Sequence, residues 1–136
     1  MAATKFEQLT RKLDVFGIDA YTDVGQAKKE AYLKNGKAWL RLLAEKLGLT
    51  PAQYELRVNR GGIAVSGEVT LHSDTLYLQL FESCIGGRGV SVLYRSCHGR
   101  ADYTGGANHE IAMAALKHAN SMDLLIRECT QLGQIA

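Results

Sequence analysis

Apolar residues recur at intervals of three and four near both ends of the chain and at intervals of two through its middle. Phe6, Leu9, Leu13 and Phe16 fall on one face of a helix predicted over residues 5–16, with Arg11 and Lys12 between them and Gly17 as its stop. A second, longer helix runs from a cap at Thr22 or Asp23 to Gly48, with Ala27, Ala31, Trp39, Leu40, Leu43 and Leu47 as its apolar stripe. Asn35-Gly36 is a turn-forming pair inside that stretch, so the segment reads either as one helix or as two short ones. Lys34, Lys37 and Arg41 share its outer side at helical spacing. Thr50-Pro51-Ala52-Gln53 has a cap, a proline and a glutamine at the spacing of one helical turn.

The period changes at Tyr54. Tyr54, Leu56 and Val58 alternate with Glu55, Arg57 and Asn59, and Arg60-Gly61-Gly62 makes a turn. Ile63, Val65, Gly67, Val69 and Leu71 then alternate with Ala64, Ser66, Glu68, Thr70 and His72, which demands a strand with one wet face. A hairpin at Ser73-Asp74 would set Leu71 opposite Leu76, Val69 opposite Leu78 and Gly67 opposite Leu80. A fourth strand is predicted over 90–97, after the turn Gly86-Gly87-Arg88-Gly89. Two helices follow. One uses Ile111, Ala112, Ala115, Leu116 and Ala119 with Asn108 as cap, and the other opens at Ser121, uses Leu124, Leu125, Ile126, Cys129 and Leu132, and stops at Gly133. The expected architecture is α+β, one domain over 1–136: a four-stranded antiparallel meander flanked by two N-terminal and two C-terminal helices, mainly on one sheet face.

The same register collects Arg57, Ser66, Glu68, Thr70, His72, Tyr77, Gln79, Phe81 and Arg95 on the other face, a polar surface carrying aromatics. Composition narrows what that surface serves. At 136 residues with 46% hydrophobic and 22% charged residues, the chain is long enough to bury a core without staples. A formal net charge of +2 is too small to imply a general polyanion binder and makes any basic site local. Three irregularly spaced cysteines, Cys84, Cys97 and Cys129, fit a reducing cytoplasm better than a disulfide framework. No stretch approaches the ~20 apolar residues of a membrane span, and the first residues lack the apolar run of an export signal.

Candidate chemistry concentrates between residues 84 and 110. Arg88 sits among glycines in a turn that fits no phosphate-loop or dinucleotide fingerprint. Gly105-Gly106-Ala107-Asn108 leads into the predicted helix, whose N-terminal amides would attract an anion, with Arg95, His98, Arg100, Tyr103 and Thr104 nearby. Cys84, Cys97, His98 and His109 lack metal-ligand spacing, and no spacing of a catalytic type names a reaction. The leading expectation is therefore a non-catalytic protein, without cofactor, that binds or sequesters a small anionic, nucleotide-like ligand. Its site would comprise Arg88, Arg95, Arg100, Tyr103, Thr104, Gly105, Gly106 and Asn108, with Phe81 or Tyr77 as a stacking surface. RNA or single-stranded DNA binding on the aromatic sheet face is the first alternative, and a protein-interaction module or inhibitor the second. Open sheet edges also favour a homo-oligomer.

Overall fold

The computed structural model describes residues 4–14, 23–59, 67–83, 89–100, 102 and 105–134. Helices α1 (Lys5–Asp14) and α2 (Asp23–Lys46) precede strands β1 (Tyr54–Asn59), β2 (Glu68–Ser73), β3 (Leu76–Ser83), β4 (Gly89–Ser96) and β5 (His109–Ala112), and α3 (Ala119–Leu132) closes the chain. Short 3-10 turns at Pro51–Gln53 and Ala115–Lys117 lead into β1 and α3. The strands form one antiparallel sheet in the order β1-β2-β3-β4-β5. The class is α+β, as the patterning predicts, with five strands and three α-helices among the described residues where four of each were expected. Expected features at Phe16, Gly17, Thr22, Ile63, Val65, Ser66, Cys84, Arg88, Tyr103 and Thr104, and the turn at Arg60-Gly61-Gly62, lie outside the described residues.

One core joins the helices to the sheet. Phe6, Leu9 and Leu13 of α1, Trp39, Leu40 and Leu43 of α2, and Leu125 and Cys129 of α3 pack with Val69, Leu71, Leu78, Leu80 and Val92. Trp39 is wholly buried, stacked on Phe6 with ring centroids 5.2 Å apart. The stripe of α2 runs through Tyr32 and Leu33 rather than through Ala27 and Ala31, which are exposed. On α3, Leu124 points outward at 40% exposure while Leu125 fills the core.

Asn35-Gly36 does not break α2. A Cβ on Gly36 would lie 3.1 Å from Val69 Cγ2 and 3.2 Å from Leu80 Cδ1, so the missing side chain lets the helix lie close on β2 and β3. Packing, rather than a turn, accounts for this glycine.

The β2–β3 hairpin keeps the expected faces with the pairing displaced by two residues. Leu71 opposes Leu78 and Val69 opposes Leu80, leaving Asp74 and Thr75 at the tip. Ser73 is the cause, because its Oγ accepts hydrogen bonds from the amides of Thr75 (3.2 Å) and Leu76 (2.8 Å) and fixes it as the last strand residue.

The predicted helix after Asn108 is overturned. Residues His109–Ala112 pair with β4, Tyr94 opposite His109 and Val92 opposite Ile111, and the amide of Met113 continues to Val90 O at 2.9 Å. Pairing satisfies the outer edge of β4, which a helix there would leave open. The three alanines of the predicted stripe bring too little apolar surface to prevent it. Asn108 consequently caps no helix, and α3 begins at Ala119 with His118 as its N-cap, two residues before the expected Ser121.

Candidate functional site

The helices pack on one sheet face, and the cross-strand register places three rows of side chains on the other. Glu55, His72, Tyr77 and Arg95 form the row nearest the β2–β3 hairpin; Arg57, Thr70, Gln79, Leu93 and Glu110 form the second; Asn59, Glu68, Phe81, Ser91 and Ala112 form the third. The face is the one expected, extended by β5.

The first row is closed over. His72 is fully buried, and its Nδ1 lies 2.6 Å from Arg57 Nη2, so the ring nitrogen accepts and Nε2 carries the proton. Burial, then the Arg57 charge, lowers the His72 pKa and keeps the ring neutral. Arg95 is buried with its guanidinium carbon 4.2 Å from the Tyr77 ring centre, and its Nη1 donates to Asn108 Oδ1 at 3.3 Å. Asp102 takes the amides of His98 (2.9 Å) and Gly105 (3.0 Å), and Gly106 donates to Ser96 O at 3.0 Å. A Cβ on Gly105 would stand 2.2 Å from Ser96 O, and one on Gly106 2.4 Å from Ser96 Oγ. The Gly-Gly pair is there because the chain runs hard against the end of β4, with Gly105 at φ +39°.

The predicted site residues accordingly separate. Tyr77, Arg95, Gly105, Gly106 and Asn108 come together, but around one another. Arg100 is held at the same end by Asp74 (3.1 Å), Ala52 O (2.7 Å) and Glu55 (4.0 Å). Phe81 sits two rows from Tyr77, about 13 Å along β3. Arg88, Tyr103 and Thr104 lie outside the described residues. Because a strand follows Asn108, the helix N-terminus invoked for anion binding is not present there.

A group of three cations with no described carboxylate partner lies on the helix side. Lys34, Lys37 and Arg41 line, with Glu30, Leu33, Val58 and Asn59, a groove of about 700 Å³ between α2 and the edge strand β1. Among the described residues none of these three cations makes an ion pair. Their helical spacing is visible in the sequence, but the opposite wall comes from residues about twenty positions on.

Tyr94 supplies a further contact that sequence reading missed. Its phenol donates to Glu128 Oε2 at 2.5 Å, tying β4 to α3, and its ring stacks on His109 at 5.3 Å. Burial and the Glu128 carboxylate push the Tyr94 pKa up, making it a fixed donor rather than a base. Burial also raises both described thiols, Cys129 to about 12, which disfavours the nucleophilic thiolate. Among the described residues no three His, Cys, Asp or Glu side chains group as metal ligands, and no helix is long and apolar enough to cross a membrane. Comparison with family models, curated proteins and solved structures gives no match.

Proposed function

We propose that the protein is a non-catalytic binding protein for a compact anionic ligand, of nucleotide size, seated between α2 and β1 against Lys34, Lys37 and Arg41. The observation that carries this reading is the contrast in pairing. Arg57 and Arg100 have carboxylate partners and Arg95 is stacked and hydrogen-bonded, whereas the three cations of the groove face it without an ion pair among the described residues. A groove of about 700 Å³ is within the range of small-molecule sites. Glu30 in the same wall works against a long polyanion, which gains its affinity from a continuous cationic track. The helix-free face is less suited to phosphates still, since Glu55, Glu68 and Glu110 outnumber its accessible Arg57.

Calorimetric titration with pyrophosphate, nucleoside mono- and triphosphates and a short single-stranded oligonucleotide tests this. Lys34→Ala/Lys37→Ala/Arg41→Ala should weaken binding of the compact anions at least about tenfold, the sum of three solvent-facing contacts of roughly 0.5 kcal/mol each. Arg95→Ala/Arg100→Ala should leave it unchanged. Equal binding by the triple variant, or loss only in the double variant, would return the site to the segment after β4.

A further inference from the structure

The helix-free face has a charge pattern that the anion groove does not use. Its second row runs Arg57, Thr70, Gln79, Leu93, Glu110, with a cation on one edge strand and a carboxylate on the other, and β3 between them. Arg57 is half-exposed, and its guanidinium is set in position by Glu55 (3.0 Å) and His72. Glu110 is exposed. Between them the surface is mildly apolar: Phe81, Leu93 and Ala112 are half-buried, and Thr70 and Ser91 are buried.

We infer that this face is self-complementary and that its occupant is a second copy of the chain, related by a two-fold axis running along β3. Such an axis exchanges the two edges of the sheet while keeping each row in place. Arg57 of one copy then meets the second copy's Glu110, and the reverse, while Gln79 and Phe81 lie on the axis and meet their own counterparts. The other face-to-face two-fold, perpendicular to the strands, sets Arg57 on Arg57 and Glu110 on Glu110. Charge therefore selects between the two arrangements. Packed sheets cross at about 30°, which at the ~10 Å from β3 to either edge moves the paired charges about 5 Å along the strand, within the reach of arginine and glutamate side chains.

Size fixes how tight the pair is. Five strands span about 19 Å and the two open rows lie about 7 Å apart, so with half a spacing at each margin the patch is about 24 Å by 14 Å and each copy contributes on the order of 300 Å². The total, roughly 700 Å², is below the ~1,000 Å² of stable specific interfaces, so the pair is a weak, transient one.

The test is a charge exchange read by sedimentation equilibrium from about 1 to 500 µM, with circular dichroism confirming the fold. Wild type should dimerise. Glu110→Arg, at an exposed position, should weaken the dimer at least tenfold by placing two like pairs in contact, and Phe81→Asp should abolish it. The exchange Arg57→Glu/Glu110→Arg should restore association relative to Glu110→Arg alone. Should the exchanged protein not fold, an equimolar mixture of Glu110→Arg with an Arg57→Glu variant whose fold is intact, or otherwise the Phe81→Asp result, decides. A chain monomeric to 500 µM, or a dimer indifferent to Glu110→Arg and Phe81→Asp, overturns the inference. Since none of these residues lines the α2 groove, anion binding by the same variants reports separately on the proposed function.

Discussion

Replacing Thr10 with valine should cost about 1–2 kcal/mol, although the two side chains have the same shape. Thr10 is 2% exposed, and its Oγ1 accepts the indole proton of Trp39 at 2.8 Å while donating to Phe6 O at 2.8 Å. Valine removes the acceptor and leaves Trp39 Nε1–H unpaired in a site where the indole has no exposure. An orphaned buried donor costs about 1–3 kcal/mol, and the added methyl returns less than about 1 kcal/mol. Phe6 O loses little, since it lies within helix α1. Urea unfolding followed by far-UV circular dichroism should move the midpoint down by roughly 1 M, taking a slope near 1.5 kcal/mol/M. The control is Trp39→Phe, which removes the indole donor. In that background Thr10→Val should be close to neutral, giving a coupling of about 1–2 kcal/mol between the two sites. If valine cost the same in both backgrounds, or nothing in either, the bond between α1 and α2 would contribute no net stability and the reasoning would fail.

Two further outcomes follow from the packing and from a buried histidine. Gly36→Ala should change stability little, because the helix gain of up to about 1 kcal/mol opposes contacts at 3.1 and 3.2 Å with Val69 and Leu80. Gly36→Val should destabilise by about 2 kcal/mol in the same urea assay, and an unchanged midpoint would mean that α2 does not bear on β2 and β3 at that point. His72 has a folded pKa below 6.5, so the unfolded chain takes up its proton first as pH falls. Its contribution is complete above about pH 6.5 and declines below it, down to the folded value. The stability difference between wild type and His72→Gln should therefore shrink from pH 7.5 to 5.5, and a difference that grew would show that His72 is charged in the fold.

How far the sequence could be read depended on how much of each signal was local. Alternation at Val69, Leu71, Leu78 and Leu80 fixed both sheet faces even where the hairpin pairing was off by two, because a displacement of two residues preserves the side. The helices α1 and α2 were likewise legible from stripes of large apolar residues. Residues 109–119 were not, since alanines at helical spacing carry little burial energy and the unpaired edge of β4, remote in sequence, decided the outcome. The same holds for glycine: Gly36 reads as a turn and Gly105 as an anion cradle, yet each is explained by a neighbour that leaves no room for a Cβ.

Site residues failed for a related reason. Arginine suggests an anion site because its fork matches carboxylates and phosphates, but a protein's own carboxylates and carbonyls match that fork equally well. Arg100 found Asp74 and Ala52 O, twenty-six and forty-eight positions away, and Arg95 found Tyr77 and Asn108. Lysines on an amphipathic helix suggest mere solvation, yet once β1 is laid beside α2 they form the wall of a groove with no described carboxylate paired to them. A charged side chain is informative about ligands to the extent that the fold leaves it unneutralised, and that property belongs to the assembled neighbours rather than to the spacing. On β1 the consequence is laid out over adjacent residues: Arg57, paired and held, faces the helix-free side, while Val58 turns to the groove where the unpaired cations stand.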